Sequence, residues 1–325
     1  MKRRRWLNVL VAVGMQSSQP AVLAQRSPGA LIIGYLHPRT IAPDHPTLAI
    51  LRAAWIKLGY VEGGSVLLRS AGDDLSRVPA LMSELAGLGA GVVIVVGAAA
   101  VKAAARATRT TPIVAIDLES DPVRAGYAAS FARPGGNVTG LFLDQPSIAG
   151  KWIDLLREAA PDLKRLVILW DAGTGQEQLE IAKAVSRAKG YEASVLELGA
   201  IRDFDVALRP FAGRPLAGIV QLTSPGFVVR AADFAAATRK HRIPAVSFLR
   251  SYAQAGVLMT YGPVQEVYFG RAVGLADQIL KGAKPGDIPI EAPDRFELVI
   301  NRDSAKQLGL IIPRALLLRA DEILP

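Results

Sequence analysis

Short apolar segments rich in β-branched residues alternate with helical patterns along almost the whole chain. The clearest segment, Val92-Val93-Ile94-Val95-Val96, is apolar at every position, as expected for a strand covered by helices on both faces. The first half of the chain has predicted strands at 30–36, 66–69, 92–96 and 112–116, with helical patterns between them. This order predicts a parallel sheet with helices on both faces.

The turn Arg133-Pro134-Gly135-Gly136 interrupts the alternation, which then restarts and continues to the C-terminus. A chain of 325 residues suits two α/β lobes of this kind. We therefore predict two Rossmann-like lobes with parallel sheets, joined by a hinge that the chain crosses several times. The first lobe is expected to hold residues 30–140 plus about 262–283, and the second residues 141–261 plus about 284–325.

The first 24 residues have the pattern of a signal peptide. Lys2-Arg3-Arg4-Arg5 precedes an apolar stretch at 6–15, and Val22-Leu23-Ala24 provides a cleavage site. The apolar stretch is too short to span a bilayer. We expect a periplasmic product, with both the Sec and the twin-arginine export routes open. The alternative is a basic tail on a cytosolic protein.

Composition excludes several classes of site. The chain has no cysteine, so it has no disulfide, thiolate nucleophile, thiolate metal site or lipidated N-terminal cysteine. The three histidines, His37, His45 and His241, are too dispersed to predict a metal cluster, and no cofactor is expected. The net charge is +9, but the basic residues beyond the N-terminus are scattered, which disfavours a nucleic-acid partner.

Several motifs give a more specific indication. They are GYVEG at 59–63, PIV at 112–114, SDPV at 120–123, ARPGGNVTG at 132–140, GAKP at 282–285, FELVIN at 296–301 and LLLRADEI at 316–323. From about residue 31 to the C-terminus, the chain resembles ABC transporter substrate-binding proteins of the tryptophan/tyrosine-importer type. The resemblance implies a type I periplasmic-binding-protein fold, a small-molecule ligand, and permease and ATPase partner subunits. A monomer is expected.

One position departs from that family. Relatives often have Gly-Gly-Thr-Pro after the third strand, whereas this chain has Gly97-Ala98-Ala99-Ala100. A hydroxyl group that could contact a ligand is therefore missing, and the resemblance alone does not identify the ligand.

Ligands of parallel sheets bind at the carboxyl ends of the strands, which selects candidate residues in the first lobe. Gly97, Ala98 and Ala99 begin a helix whose N–H groups could bind a carboxylate, or they could only permit close packing. Asp117 is favoured over Glu119 as the partner of a ligand ammonium, and Asp121 as a helix cap. We therefore expect a small carboxylate-bearing solute, such as an amino acid.

Further candidates follow other strands, and for each the alternative is a capping or core role. They are Tyr35, Asp171, Thr174, Thr223, Ser224 and Tyr261.

Three other functions are alternatives to solute binding for an importer. A doubly wound enzyme would need a catalytic constellation, and none accompanies the carboxylates. A repressor of similar fold would need an N-terminal DNA-binding helix pair, where this chain has an export signal. A periplasmic sensor that feeds a signalling receptor stays open.

Overall fold

The computed structural model of the protein describes residues 31–212, 216–227 and 230–325. The predicted signal peptide lies outside the described residues. The strands are β1 (Ile33–His37), β2 (Val66–Ser70), β3 (Val92–Val96), β4 (Ile113–Asp117), β5 (Val138–Phe142), β6 (Leu163–Trp170), β7 (Ala193–Glu197), β8 (Leu216–Gln221), β9 (Ala245–Ser247), β10 (Met259–Pro263), β11 (Phe296–Asn301) and β12 (Glu322–Leu324). The helices are α1 (Pro46–Lys57), α2 (Val78–Gly87), α3 (Ala98–Ala107), α4 (Gln145–Ala159), α5 (Glu177–Ala188), α6 (Phe204–Leu208), α7 (Ala231–Lys240), α8 (Arg250–Gln254), α9 (Gln265–Leu280), α10 (Arg302–Leu308) and α11 (Arg314–Leu317).

The first sheet contains five parallel strands in the order β2-β1-β3-β4-β5. Strand β3 lies at its centre, and Val92, Val93, Ile94 and Val95 are fully buried. Ile94 packs into an apolar cluster on one face of the sheet, and Val93 and Val95 pack into another on the opposite face. This explains why β3 is apolar at every position.

The second sheet has the order β12-β11-β10-β9-β8-β6-β7, and its strand pairs are parallel except that β11 runs antiparallel to β10. The prediction of two α/β sheets is therefore confirmed, with one antiparallel pair that the alternation did not indicate. Its physical reason is the route of the chain, which leaves β10 for the first sheet and re-enters the second sheet from the other end.

The chain passes between the two sheets after β5, after β10 and before β11. Helix α9 follows β10 and packs on α1 and on β3 of the first sheet. The segment after α9 stays there, because Glu291 N–H donates to Gly140 O at 3.0 Å and Phe142 N–H donates to Glu291 O at 2.9 Å. The sequence analysis places residues from about 284 onward in the second lobe, whereas these bonds attach residue 291 to β5. The lobe boundaries themselves stay a prediction.

Across the described part of the chain, no helix combines the length and the apolar character needed to cross a membrane.

Candidate ligand-binding site

A cavity lies between the two sheets, at the carboxyl ends of their central strands. Strands β1, β3 and β4 and the loops after them form one wall, and the segments after β8 and β9 form the other. The first turns of α9 close one side. The lining residues are His37, Arg39, Thr40, Ile41, His45, Thr47, Val96, Ile116, Leu118, Glu119, Thr223, Ser224, Pro225, Phe248, Leu249, Gln265, Tyr268 and Phe269.

The loop after β4 places one carboxyl group in this cavity. Glu119 is only 4% exposed, and its Oε2 accepts a hydrogen bond from Ala98 N–H at 2.9 Å. Ala98 is the first residue of α3, so the positive end of the helix dipole points at the Glu119 carboxyl group. One of the N–H groups that the sequence analysis considered for a ligand carboxylate is therefore bonded to a side chain of the protein itself.

Asp117 lies below the cavity lining and holds the loop together. Its Oδ1 accepts hydrogen bonds from Glu119 N–H at 3.1 Å and Ser120 N–H at 2.9 Å, and its Oδ2 accepts one from Ser120 Oγ. The structure thus brings Glu119, rather than the favoured Asp117, into contact with the cavity. The sequence contains a signal for this outcome, since an aspartate followed by a serine three residues later often caps its own turn instead of facing a ligand.

The two carboxyl groups differ in their protonation. Burial and, to a smaller extent, the nearby Asp117 carboxylate together raise the pKa of Glu119 to about 8. Burial also raises the pKa of Asp117, to about 6, but the hydrogen bonds from Ser120 and Glu119 favour its ionised form. Glu119 is consequently the carboxyl group that keeps a proton near neutral pH.

Aromatic side chains from α9 and from the segment after β9 also line the cavity. The rings of Tyr268 and Phe269, on α9, lie 4.5 Å apart between their centroids. Phe248, after β9, packs edge-on against Trp152 of α4 at 6.2 Å. The sequence analysis did not place α9 in the cavity, because α9 contacts the first sheet only through the crossing after β10.

The loop between β1 and α1 contributes nitrogen-bearing side chains. His37 Nδ1 lies 2.9 Å from Arg39 O and 3.2 Å from Arg39 N, and burial lowers the pKa of the His37 ring to about 4, so the ring is neutral. Arg39 Nη1 forms an ion pair with Asp73 at 2.9 Å. A guanidinium group has five N–H donors, so Arg39 retains donors for a further acceptor.

A second pocket adjoins the first and shares Arg39, Ser224 and Pro225 with it. It contains most of the other predicted residues, namely Gly97, Ala98, Ala99, Asp171, Thr174 and Ser224. Gly97 has φ +84°, and a Cβ atom there would lie 3.2 Å from Pro225 Cγ of the opposite lobe. Glycine at this position permits the close approach of the two lobes.

Besides Asp117, two further predicted residues lie apart from both linings. Tyr35 is fully buried below the cavity, where its ring packs edge-on against Trp55. Tyr261 is half-buried on β10 and stacks on Phe296, outside the lining of either pocket.

Hydrogen bonds connect the two lobes beside the cavity. The buried Thr223 hydroxyl lies 3.1 Å from Leu118 O, across the cavity, and 2.9 Å from Gln178 Oε1, so its one proton is shared between these two acceptors. Nearer the surface, Glu177 at the start of α5 forms an ion pair with Arg124 Nε at 3.3 Å and accepts a hydrogen bond from Asp121 N–H at 3.4 Å. These contacts hold the lobes in a closed arrangement.

A family model described as "ABC transporter substrate binding protein" matches residues 51–324. The chain belongs to this family. The function that the sequence motifs predicted, solute binding for an ABC transporter, is thereby confirmed at the level of the family.

The chain is also similar to individual proteins of known name. It is 24% identical over 276 residues to a tyrosine-binding protein of Clostridioides difficile, covering 82% of this chain and 79% of that protein. The fold matches an ABC domain in complex with L-Trp from Streptococcus pneumonia, with a TM-score of 0.79 and 21% identity over 90% of this chain and 99% of that one. It also matches a 5-methylthioribose transporter solute-binding protein from Thermotoga lettingae, with a TM-score of 0.60 and 13% identity over 90% and 91% of the two chains.

Proposed function

We propose that the protein is the extracytoplasmic binding subunit of an ABC importer and that it binds an amino acid with a large apolar or aromatic side chain. The observation behind this proposal is that both sheets contribute to one cavity whose lining is largely apolar and aromatic. A ligand in such a cavity contacts both lobes only when they are closed. It therefore shifts the population toward the closed form that the importer would recognise.

Three features of the cavity suit the three parts of an amino acid. Phe248, Tyr268 and Phe269 offer an apolar surface for a side chain. Arg39 has N–H donors for a carboxylate, and Glu119 is a carboxyl group for an ammonium. The names of the tyrosine-binding relative and of the L-Trp complex support the same ligand class.

Export belongs to the same proposal. Residues 1–24 have the signal-peptide pattern, and we expect a mature periplasmic protein that begins near Gln25. An importer-binding subunit needs this location, because it meets its ligand outside the cytoplasmic membrane.

Thermal unfolding and calorimetry with a small set of solutes test the ligand class. We expect L-tyrosine, L-tryptophan or L-phenylalanine to stabilise the protein by about 2.7 kcal/mol at 100 times its dissociation constant. Glycine, which lacks the apolar side chain, and ribose, which lacks both charges, are the controls. Binding of ribose or 5-methylthioribose, with no binding of any of the three aromatic amino acids, would contradict the proposal.

A further inference from the structure

We propose that Glu119 recognises the ligand ammonium and gives up a proton when that ammonium binds, so that capture of the solute is coupled to proton release. This inference rests on the proposed function, because it requires a ligand with an amino group. The ligand class alone does not fix the protonation state of the site before binding, and this inference addresses that state.

The first argument is the position of the Glu119 side chain. It is 4% exposed, lines the cavity, and accepts a hydrogen bond from Ala98 N–H. Among the described residues, no lysine, arginine or histidine nitrogen forms an ion pair with its carboxylate. An ionised carboxylate buried without a cation is strongly disfavoured, so the empty site holds the neutral acid.

The charges around Glu119 favour the same state. Asp117 on the same loop and Asp171 of the opposite lobe are both acidic and both raise its pKa. Within the cavity lining, Arg39 is paired with Asp73, and the His37 ring is neutral. The titratable and charged groups that face Glu119 or share its cavity are Asp117, Asp171, His37, Arg39, His45 and Tyr268.

A ligand ammonium reverses this balance. It supplies the missing cation at hydrogen-bonding distance, in a cavity of low dielectric constant where the attraction is strong. Ala98 N–H and the start of α3, which contact Glu119 Oε2, already favour the ionised form of this carboxyl group. The neutral acid plus the ammonium ligand therefore becomes a carboxylate–ammonium pair, and one proton passes to solvent.

The coupling predicts how affinity depends on pH. Below the pKa of Glu119, the association constant should rise by up to about tenfold per pH unit, because one proton leaves for each ligand bound. The rise should level off near pH 8, where the Glu119 carboxyl group ionises in the absence of ligand. A ligand without an amino group should show no such rise.

Calorimetry tests this with two probes, L-tyrosine and 3-(4-hydroxyphenyl)propanoate, which is the same molecule without the amino group. Titrations at pH 6.5 in buffers of different ionisation enthalpy count the released protons. We expect nearly one proton per L-tyrosine in the wild type and none in Glu119→Gln, with affinity lowered by about 10- to 100-fold. The propanoate should bind both proteins equally.

Glu84→Gln is the matched control, because it is the same glutamate-to-glutamine change, and Glu84 pairs with Arg69 at the surface of the first lobe, outside the lining. It should keep proton release and affinity. If the wild type binds L-tyrosine without releasing a proton, or Glu119→Gln binds it as tightly, the role of Glu119 is wrong while the proposed function stands. If the wild type binds no amino acid with a large apolar or aromatic side chain, both proposals are wrong.

Discussion

At the scale of single residues, Asp117 and Glu119 show how two acids in one loop acquire different chemistry. Asp117 accepts three hydrogen bonds from its own loop, and these stabilise its charge although it is fully buried. Glu119 accepts one such bond from α3 and faces an apolar cavity. One carboxylate therefore shapes the loop, and the other is left for the cavity.

The raised pKa of Glu119 makes the stability of the ligand-free protein depend on pH. In the unfolded chain Glu119 ionises near its ordinary pKa of about 4.3, whereas in the folded chain it ionises near pH 8. Between these values the folded state binds more protons, so the free energy of unfolding falls as pH rises, by up to about 1.4 kcal/mol per unit. Asp117 contributes the same sign below about pH 6.

Urea unfolding at pH 6, 7 and 8 measures this slope. Glu119→Gln should flatten the fall between pH 6 and 8, because a glutamine does not titrate, and Glu84→Gln, at a surface pair, should keep the wild-type slope. Equal slopes in the wild type and Glu119→Gln would show that the folded protein does not hold Glu119 protonated.

At the scale of elements, glycines set how closely neighbouring strands approach at the crossings between the lobes. Gly140 on β5 has φ +141°, and a Cβ atom there would overlap the Ala115 carbonyl oxygen of β4. A Cβ atom on Gly262 of β10 would likewise overlap Phe248 O. Both glycines lie on the last strand before the chain leaves a sheet, so the sheets depend on them where the crossings begin.

Gly140→Ala should destabilise the protein by about 3 kcal/mol or more, because backbone atoms of β4 cannot move aside as a flexible side chain can. Gly270→Ala is the matched control, since Gly270 lies inside α9 with no atom within 4 Å of the added methyl group. It should stabilise the protein by about 0.5–1 kcal/mol. Urea unfolding measures both, and a loss below 1 kcal/mol in Gly140→Ala would contradict the predicted overlap.

At the scale of the whole molecule, closure of the lobes depends on a few polar contacts that contribute unequally. The Thr223–Leu118 contact is buried, so water and salt screen it much less than a surface contact. The Arg124–Glu177 pair lies at the rim, where Arg124 is 72% exposed. Water and salt screen such a pair strongly.

Arg124→Ala should therefore lower ligand affinity by no more than about fivefold at low salt, and the effect should disappear at about 1 M salt. Arg69→Ala is the control, because Arg69 forms a comparable surface pair with Glu84 inside the first lobe, at 2.7 Å. It should leave affinity unchanged. Calorimetry with L-tyrosine at both salt concentrations tests this, and equal effects of the two variants would mean that the Arg124 pair does not contribute to closure.

The sequence by itself determined the elements and the class of protein. Strand β3 at Val92–Val96 was predicted with its observed bounds, since an uninterrupted β-branched run has few alternatives to a buried strand. The repeated alternation predicted two α/β sheets, and the motifs indicated the family. Thr223 and Ser224 could be selected because they follow a predicted strand, and the structure places both in the cavity lining.

Only the tertiary structure decided which residues meet. The antiparallel β11, the attachment of Glu291 to β5, and the position of Tyr268 and Phe269 in the cavity all follow from crossings between distant parts of the chain. The choice of Glu119 over Asp117 also depends on α3, which begins 21 residues earlier in the chain than the carboxyl group that it contacts. Local patterns encode periodicity and turns, whereas burial and the charge environment arise when separate segments pack together.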